Sequence, residues 1–140
     1  MKIIFFSFVA LCLTYAGVAY GSNWTTIVNK SFVDEPKCSV TDQIDQSTWT
    51  KNGSYGVIAW SKETISPNHS ECSKNPYRVI LLQSNYDCNN RQFQFLQYSS
   101  EDWDGNAGSA HIDNGDWISV IPNSLAEAEL NFVCSAWFKK

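Results

Sequence analysis

The chain of 140 residues carries a net charge of −4 at neutral pH, with 14% aromatic residues, six tryptophans and five cysteines. That acidic balance excludes nucleic acid and anionic membrane surfaces as partners, since both repel a negatively charged protein. The aromatic content suffices for one hydrophobic core, and so for one domain, in roughly 120 residues.

One positive charge, Lys2, precedes an apolar run at 3–13, and the small residues Ala19 and Gly21 follow. This order predicts a secretory signal peptide over 1–21, cleaved after Gly21, with a single domain over 22–140. The apolar run is too short for a permanent span, so no membrane span is expected once the leader is gone; a retained signal anchor is the competing reading. Cleavage removes Cys12 and leaves Cys38, Cys72, Cys88 and Cys134, an even set that predicts two disulfides in an exported chain. No C-x-x-C spacing exists, and His69 and His111 show no ligand spacing to the cysteines, which argues against a metal site. Loss of Lys2 leaves nine basic against fourteen acidic residues, a net charge of −5.

In chain order, 24–28 reads as a first strand, and the polar segment 33–47, with Pro36 and Cys38, as a loop. Asn52-Gly53 predicts a turn into a strand over 55–61, and 65–76, with Pro67, Cys72 and Pro76, a second loop. The segment 77–98 reads as a hairpin turning at Asn89-Asn90, two residues that tolerate the positive φ of a two-residue turn. Folding there pairs Cys88 with Arg91, Tyr86 with Phe93 and Ser84 with Phe95. Ile80, Leu82, Tyr86, Cys88, Phe93 and Phe95 then share an apolar face, with Gln83, Asn85, Asp87, Gln92 and Gln94 on the other.

A strand over 117–121 stops at Pro122, and Ser124 with Glu127 three residues on forms a capping box that opens a C-terminal helix. Ala126, Leu130, Val133, Cys134 and Trp137 recur at three- and four-residue steps and make one apolar stripe. Laying that stripe on the hairpin's apolar face predicts a Cys88–Cys134 bond, which leaves Cys38 for Cys72. In the chain-entropy picture, closing each of these loops stabilises by about 4 kcal/mol.

The run Tyr86-Asp87-Cys88-Asn89-Asn90-Arg91-Gln92-Phe93, then Trp117, Ile121-Pro122-Asn123-Ser124-Leu125-Ala126-Glu127 and Val133-Cys134, resembles the surface-adhesin protein E family. The resemblance covers about residues 76–134 well and the first strands loosely. It implies an antiparallel sheet with a C-terminal helix tethered by Cys88 and Cys134, in agreement with the pairing above. It further implies a bacterial envelope location and, for the adhesins that named the family, binding to host matrix proteins such as laminin and vitronectin. Asn123 stands where relatives commonly have glycine; the Cys38 loop, Trp137-Phe138 and Lys139-Lys140 are departures from the usual pattern.

Asp102, Asp104, Asn106 and Asp113 fall at positions one, three, five and twelve of a calcium-loop register, but Ala107 replaces the glycine required at the sixth. An acidic, solvated connection between strands is the preferred reading of 102–113. Trp103 within it and Trp137 near the end are candidate exposed anchors for a partner, with core packing the competing reading for Trp103. His111, near Asp113, joins them as a binding candidate; without a nucleophile or oxyanion motif it does not make a catalytic site.

The expected fold is α+β: an antiparallel sheet of five or six strands with one face covered by the C-terminal helix. The expected function is an exported, non-enzymatic binding protein of the bacterial envelope, adhesin-like, with no cofactor and with a protein ligand, host extracellular-matrix proteins among them. A homodimer is compatible with this reading. The alternative is a periplasmic accessory or inhibitor protein that binds an envelope component or a hydrolase. Periplasm, outer cell surface and secreted are the compartments open to it.

Overall fold

The computed structural model of the chain describes residues 22–31, 39–66, 76–113 and 115–139. The leader at 1–21, Cys38, Cys72 and the bond expected between them lie outside the described residues.

Six strands, β1 (Trp24–Ser31), β2 (Ser39–Asn52), β3 (Gly56–Ser66), β4 (Tyr77–Asp87), β5 (Gln92–Asp102) and β6 (Ala107–His111), follow one another across a single antiparallel sheet. A two-residue strand, β7 (Ile118–Ser119), pairs with Phe93 and Gln92 of β5. Beyond Ile112, whose N–H donates to Leu96 O at 2.8 Å, the chain stays beside β5, so β6 and β7 form one interrupted edge. The helix α1 (Leu125–Trp137) lies over β1, β3 and β4. This is the expected α+β arrangement. Among the described residues no helix is long and apolar enough to cross a membrane.

The core lies between sheet and helix: Ile44, Val57, Ala59, Tyr86 and Phe93 rise from the sheet to meet Leu130 and Val133 of α1. Each strand residue belongs to this layer because side chains alternate faces, and the odd positions of β3 and even positions of β4 point the same way. Ala126, Cys134 and Trp137 of the predicted stripe pack against this core, as does Phe132.

The hairpin has the predicted register, with Tyr86 opposite Phe93 and Ser84 opposite Phe95. Its turn differs from expectation. The positive φ falls on Arg91 (53°) instead of on the two asparagines. Asp87 organises the turn, its Oδ1 accepting from Asn89 N–H at 2.9 Å and Asn90 N–H at 3.0 Å. Those bonds hold the Asp87 carboxyl below its ordinary pKa.

Residues 39–47, expected to be loop, are the first part of β2. Val40, Asp42 and Ile44 alternate inward, but an acid occupies the middle position, so the pattern does not read as a half-buried strand. The strand is then interrupted. Between Asp45 and Thr50 the register with β3 shifts, a bulge in which Asp45 Oδ1 accepts from Ser47 N–H (3.0 Å), Ser47 Oγ (2.6 Å) and Asn23 N–H (3.0 Å). The displaced chain carries Trp49 to the helix, where its ring meets Phe132 at 6.0 Å and Trp137 at 6.2 Å. Ile65 and Ser66, also expected in a loop, end β3; the rest of that loop before Pro76 lies outside the described residues.

Candidate functional site

Two attachments hold α1 to the hairpin turn. Cys88 and Cys134 form a disulfide with a Cα separation of 5.6 Å. From the other side of the same turn, Arg91 donates to Glu127 Oε1 (2.8 Å) and Asn131 Oδ1 (3.1 Å). The predicted cap is present, with Ser124 Oγ accepting from Glu127 N–H at 3.2 Å. Glu127 reaches back to Asn123 N–H at 2.8 Å, and Asn123 takes φ of 63°, the left-handed region that glycine or asparagine favours.

Where α1 meets the sheet lies a group of acids, Asp42 and Glu63 from the strands and Glu129 from the helix. Asp42 is fully buried, Glu129 is 8% exposed, and Glu63 stands directly across from Asp42 on β3. Tyr86, itself fully buried, donates its hydroxyl to Glu129 Oε2 at 2.9 Å. Neither carboxylate oxygen of Asp42 has a hydrogen-bond partner. Burial first, then the charges of Glu129 and Glu63, push its pKa up to about 8, so Asp42 is held protonated at neutral pH. Burial also raises Glu63 and Glu129, the latter opposed by hydrogen bonds from Ser61 and Tyr86. This cluster closes the fold. Among the described residues, no group of three or more His, Cys, Asp or Glu is arranged to hold a metal ion.

The sheet's other face carries a small hollow of about 200 Å³ at the end nearest the hairpin turn. Tyr55, in the turn before β3, and Trp117, before β7, stand on its rim, 57% and 44% exposed. Asn52, Asn85 and Asn89 supply amides to its lining. Asn85 is 4% exposed, and its Oδ1 has no hydrogen-bond partner. The Trp117 segment is fixed by the Gln94 amide donating to Gly115 O, by Val120 N–H donating to Arg91 O (3.1 Å) and by Ile118 pairing with Phe93. Gly56 allows the close approach there, since a Cβ would collide with the Asn52 carbonyl oxygen.

The residues singled out from the sequence do not converge. Trp103 is partly buried and packs on Val40 and Ile65, a second small cluster. Trp137 is partly buried against Trp49 and the main core. For Trp103 the competing reading, packing, is the one the structure supports, and Trp137, expected exposed, is instead partly buried against the core. His111 ends β6, 67% exposed, with Nε2 3.5 Å from Asp113 Oδ1. Asp102 turns its carboxylate onto its own loop, accepting from Asp104 N–H (2.9 Å) and Asn106 N–H (2.8 Å), so 102–106 is a hairpin turn between β5 and β6. Tyr55, Asn85 and Trp117 were not selected from the sequence. The one available signal was Asn85 on the polar face of the predicted hairpin.

A single antiparallel sheet, closed on one face by a disulfide-tethered helix, defines a small α+β domain of the protein E type. The chain belongs to the surface-adhesin protein E family, which matches residues 24–135, and so to a family of surface or exported proteins. The fold is similar to Haemophilus influenzae protein E in crystal form II, with a TM-score of 0.52 at 10% identity over 79% of this chain and 89% of that one. A second structure of Haemophilus influenzae protein E aligns with a TM-score of 0.49 at 13% identity, over 80% of this chain and 87% of that one. No curated protein sequence matches the chain significantly.

Proposed function

We propose that the protein is an exported, non-enzymatic binding protein of the bacterial cell envelope that engages protein ligands, including host extracellular-matrix proteins, in the manner of an adhesin. The leader at 1–21 is removed after Gly21, and 22–140 acts as a single domain. The observation that carries this reading is the family match, which runs from the first residue of β1 to within the last turn of α1 and so spans the whole described fold. The acids are consistent with it: Asp42 and Glu63 on the sheet and Glu129 on α1 lie where sheet and helix meet, and the exposed His111, paired with Gln97 across the β5–β6 ladder, has Asp113 as its nearest charged neighbour among the described residues. A homodimer is compatible with this function.

The test has two arms. Antibody labelling of intact cells reads surface exposure, and immobilised laminin and vitronectin read matrix binding by the oxidised protein. Labelling together with saturable binding supports the proposal. Labelling only after the outer membrane is opened, with no matrix binding, overturns it in favour of a periplasmic role.

A further inference from the structure

We propose that the hollow framed by Tyr55 and Trp117 is a binding site for one neutral sugar residue of a glycan. This goes beyond the protein-binding function above and rests on a different part of the surface chemistry.

The first observation is the pairing of rim and lining. Two large aromatic rings stand more than two-fifths exposed on the rim of a depression lined by amides. Ring faces carry negative potential and attract the weakly positive C–H face of a sugar, while amides donate to and accept from its hydroxyls. Sites for small ligands have this composition: apolar or aromatic walls with a few placed polar groups.

The second is charge. Among the described residues, no lysine, arginine or histidine lines the hollow, so none of them compensates a phosphate, sulfate or carboxylate there. The one ionisable acid in the lining, Asp87, is committed to the turn through Asn89 N–H, Asn90 N–H and the Asn90 side-chain amide (2.8 Å). It holds the wall in shape; Asn89 Nδ2 donates to Asn90 Oδ1 at 3.5 Å, and the amides of Asn52, Asn85 and Asn89 otherwise line the hollow. The recognition chemistry is therefore neutral and rich in hydrogen bonds.

The third is Asn85 itself. A buried acceptor without a donor is costly, and native structures keep few of them. The torsion about the Asn carboxamide is broad, so a small rotation turns Oδ1 toward a hydroxyl seated in the hollow. At about 200 Å³ the depression suits a single ring and is too small for a helix or strand of a partner protein.

The experiment uses the oxidised protein, isotope-labelled, titrated with the methyl glycosides of glucose, galactose, mannose, N-acetylglucosamine and fucose, with sialic acid as an anionic control. At least one neutral glycoside is expected to give saturable shifts, at millimolar affinity, of the Trp117 indole N–H and the Asn85 and Asn89 side-chain amides. Trp117→Ala, at an exposed rim position, is expected to weaken that binding at least about tenfold, a loss of about 1.4 kcal/mol. Asn85→Ala serves as a second variant when its spectrum matches the folded parent. Absence of saturable shifts with every neutral glycoside overturns the proposal. So does a stronger response to sialic acid, or binding that Trp117→Ala leaves unchanged. Because free glycosides are the probes, failure here leaves matrix binding as a separate result.

Discussion

The hydroxyl of Tyr86 on β4 and the carboxylate of Glu129 on α1 meet at 2.9 Å in the interior, a polar joint between sheet and helix, shared with Ser61 of β3, in a layer otherwise made of Ile44, Val57, Leu130 and Val133. Tyr86→Phe keeps the ring and removes the donor, leaving Glu129 short of a partner. A loss of about 1–3 kcal/mol is expected in urea unfolding. An unchanged midpoint would mean that the joint contributes nothing.

The acids where helix and sheet meet set the direction of the pH response. The folded pKa of Asp42, about 8, lies above the 3.8 of an unfolded chain, so between these values the folded state binds the extra proton. The stabilising contribution is complete below about pH 4 and is lost as pH rises through 8, with a slope of at most about 1.4 kcal/mol per pH unit for this group. Glu63 and Glu129, also raised, act in the same sense. Melting temperature should therefore fall from pH 5 to pH 8, and Asp42→Asn should flatten the fall. A rise over that interval in the parent protein would contradict the assignment.

The Cys88–Cys134 bond closes a separation of 46 residues. The double variant Cys88→Ser, Cys134→Ser should lose about 4 kcal/mol, a large part of the stability of a small domain. Arg91 offsets little of this, since its pairing with Glu127 is half exposed and worth under about 1 kcal/mol. Chemical denaturation of parent and variant without reductant provides the comparison.

Asn123 holds the turn into α1. Its φ of 63° is a conformation in which asparagine substitutes for glycine. Asn123→Gly should be nearly neutral, whereas Asn123→Val should cost about 1–3 kcal/mol through backbone strain at the entrance to the helix. Equal melting temperatures for these two variants would show that the left-handed geometry is not enforced.

What the sequence revealed follows the range of its patterns. The β4–β5 register and the Ser124–Glu127 cap were legible because each rests on alternation or helical spacing within one segment, and the Cys88–Cys134 pairing because it joins two such patterns, a hairpin face and a helix stripe. The strand β2 was not, because Asp42 takes an inward position that alternation reserves for an apolar residue and a bulge then breaks the period. The turn asparagines were assigned the positive φ that Arg91 takes, since the Asp87 side chain holds both asparagine N–H groups in place. The hollow draws Tyr55, Asn85 and Trp117 from three separate segments, and only the folded sheet brings them together.

The shift in pairing between Thr26 and Val28 lies on β1, an end strand of the sheet. An incoming strand from another molecule would have to match that kink to zip along the free edge. At the far end, β6 is only five residues long and β7 only two. Among the described residues no further strand pairs beyond β1 or β6, and both margins resist runaway strand addition, which protects the sheet from seeding fibrous aggregates.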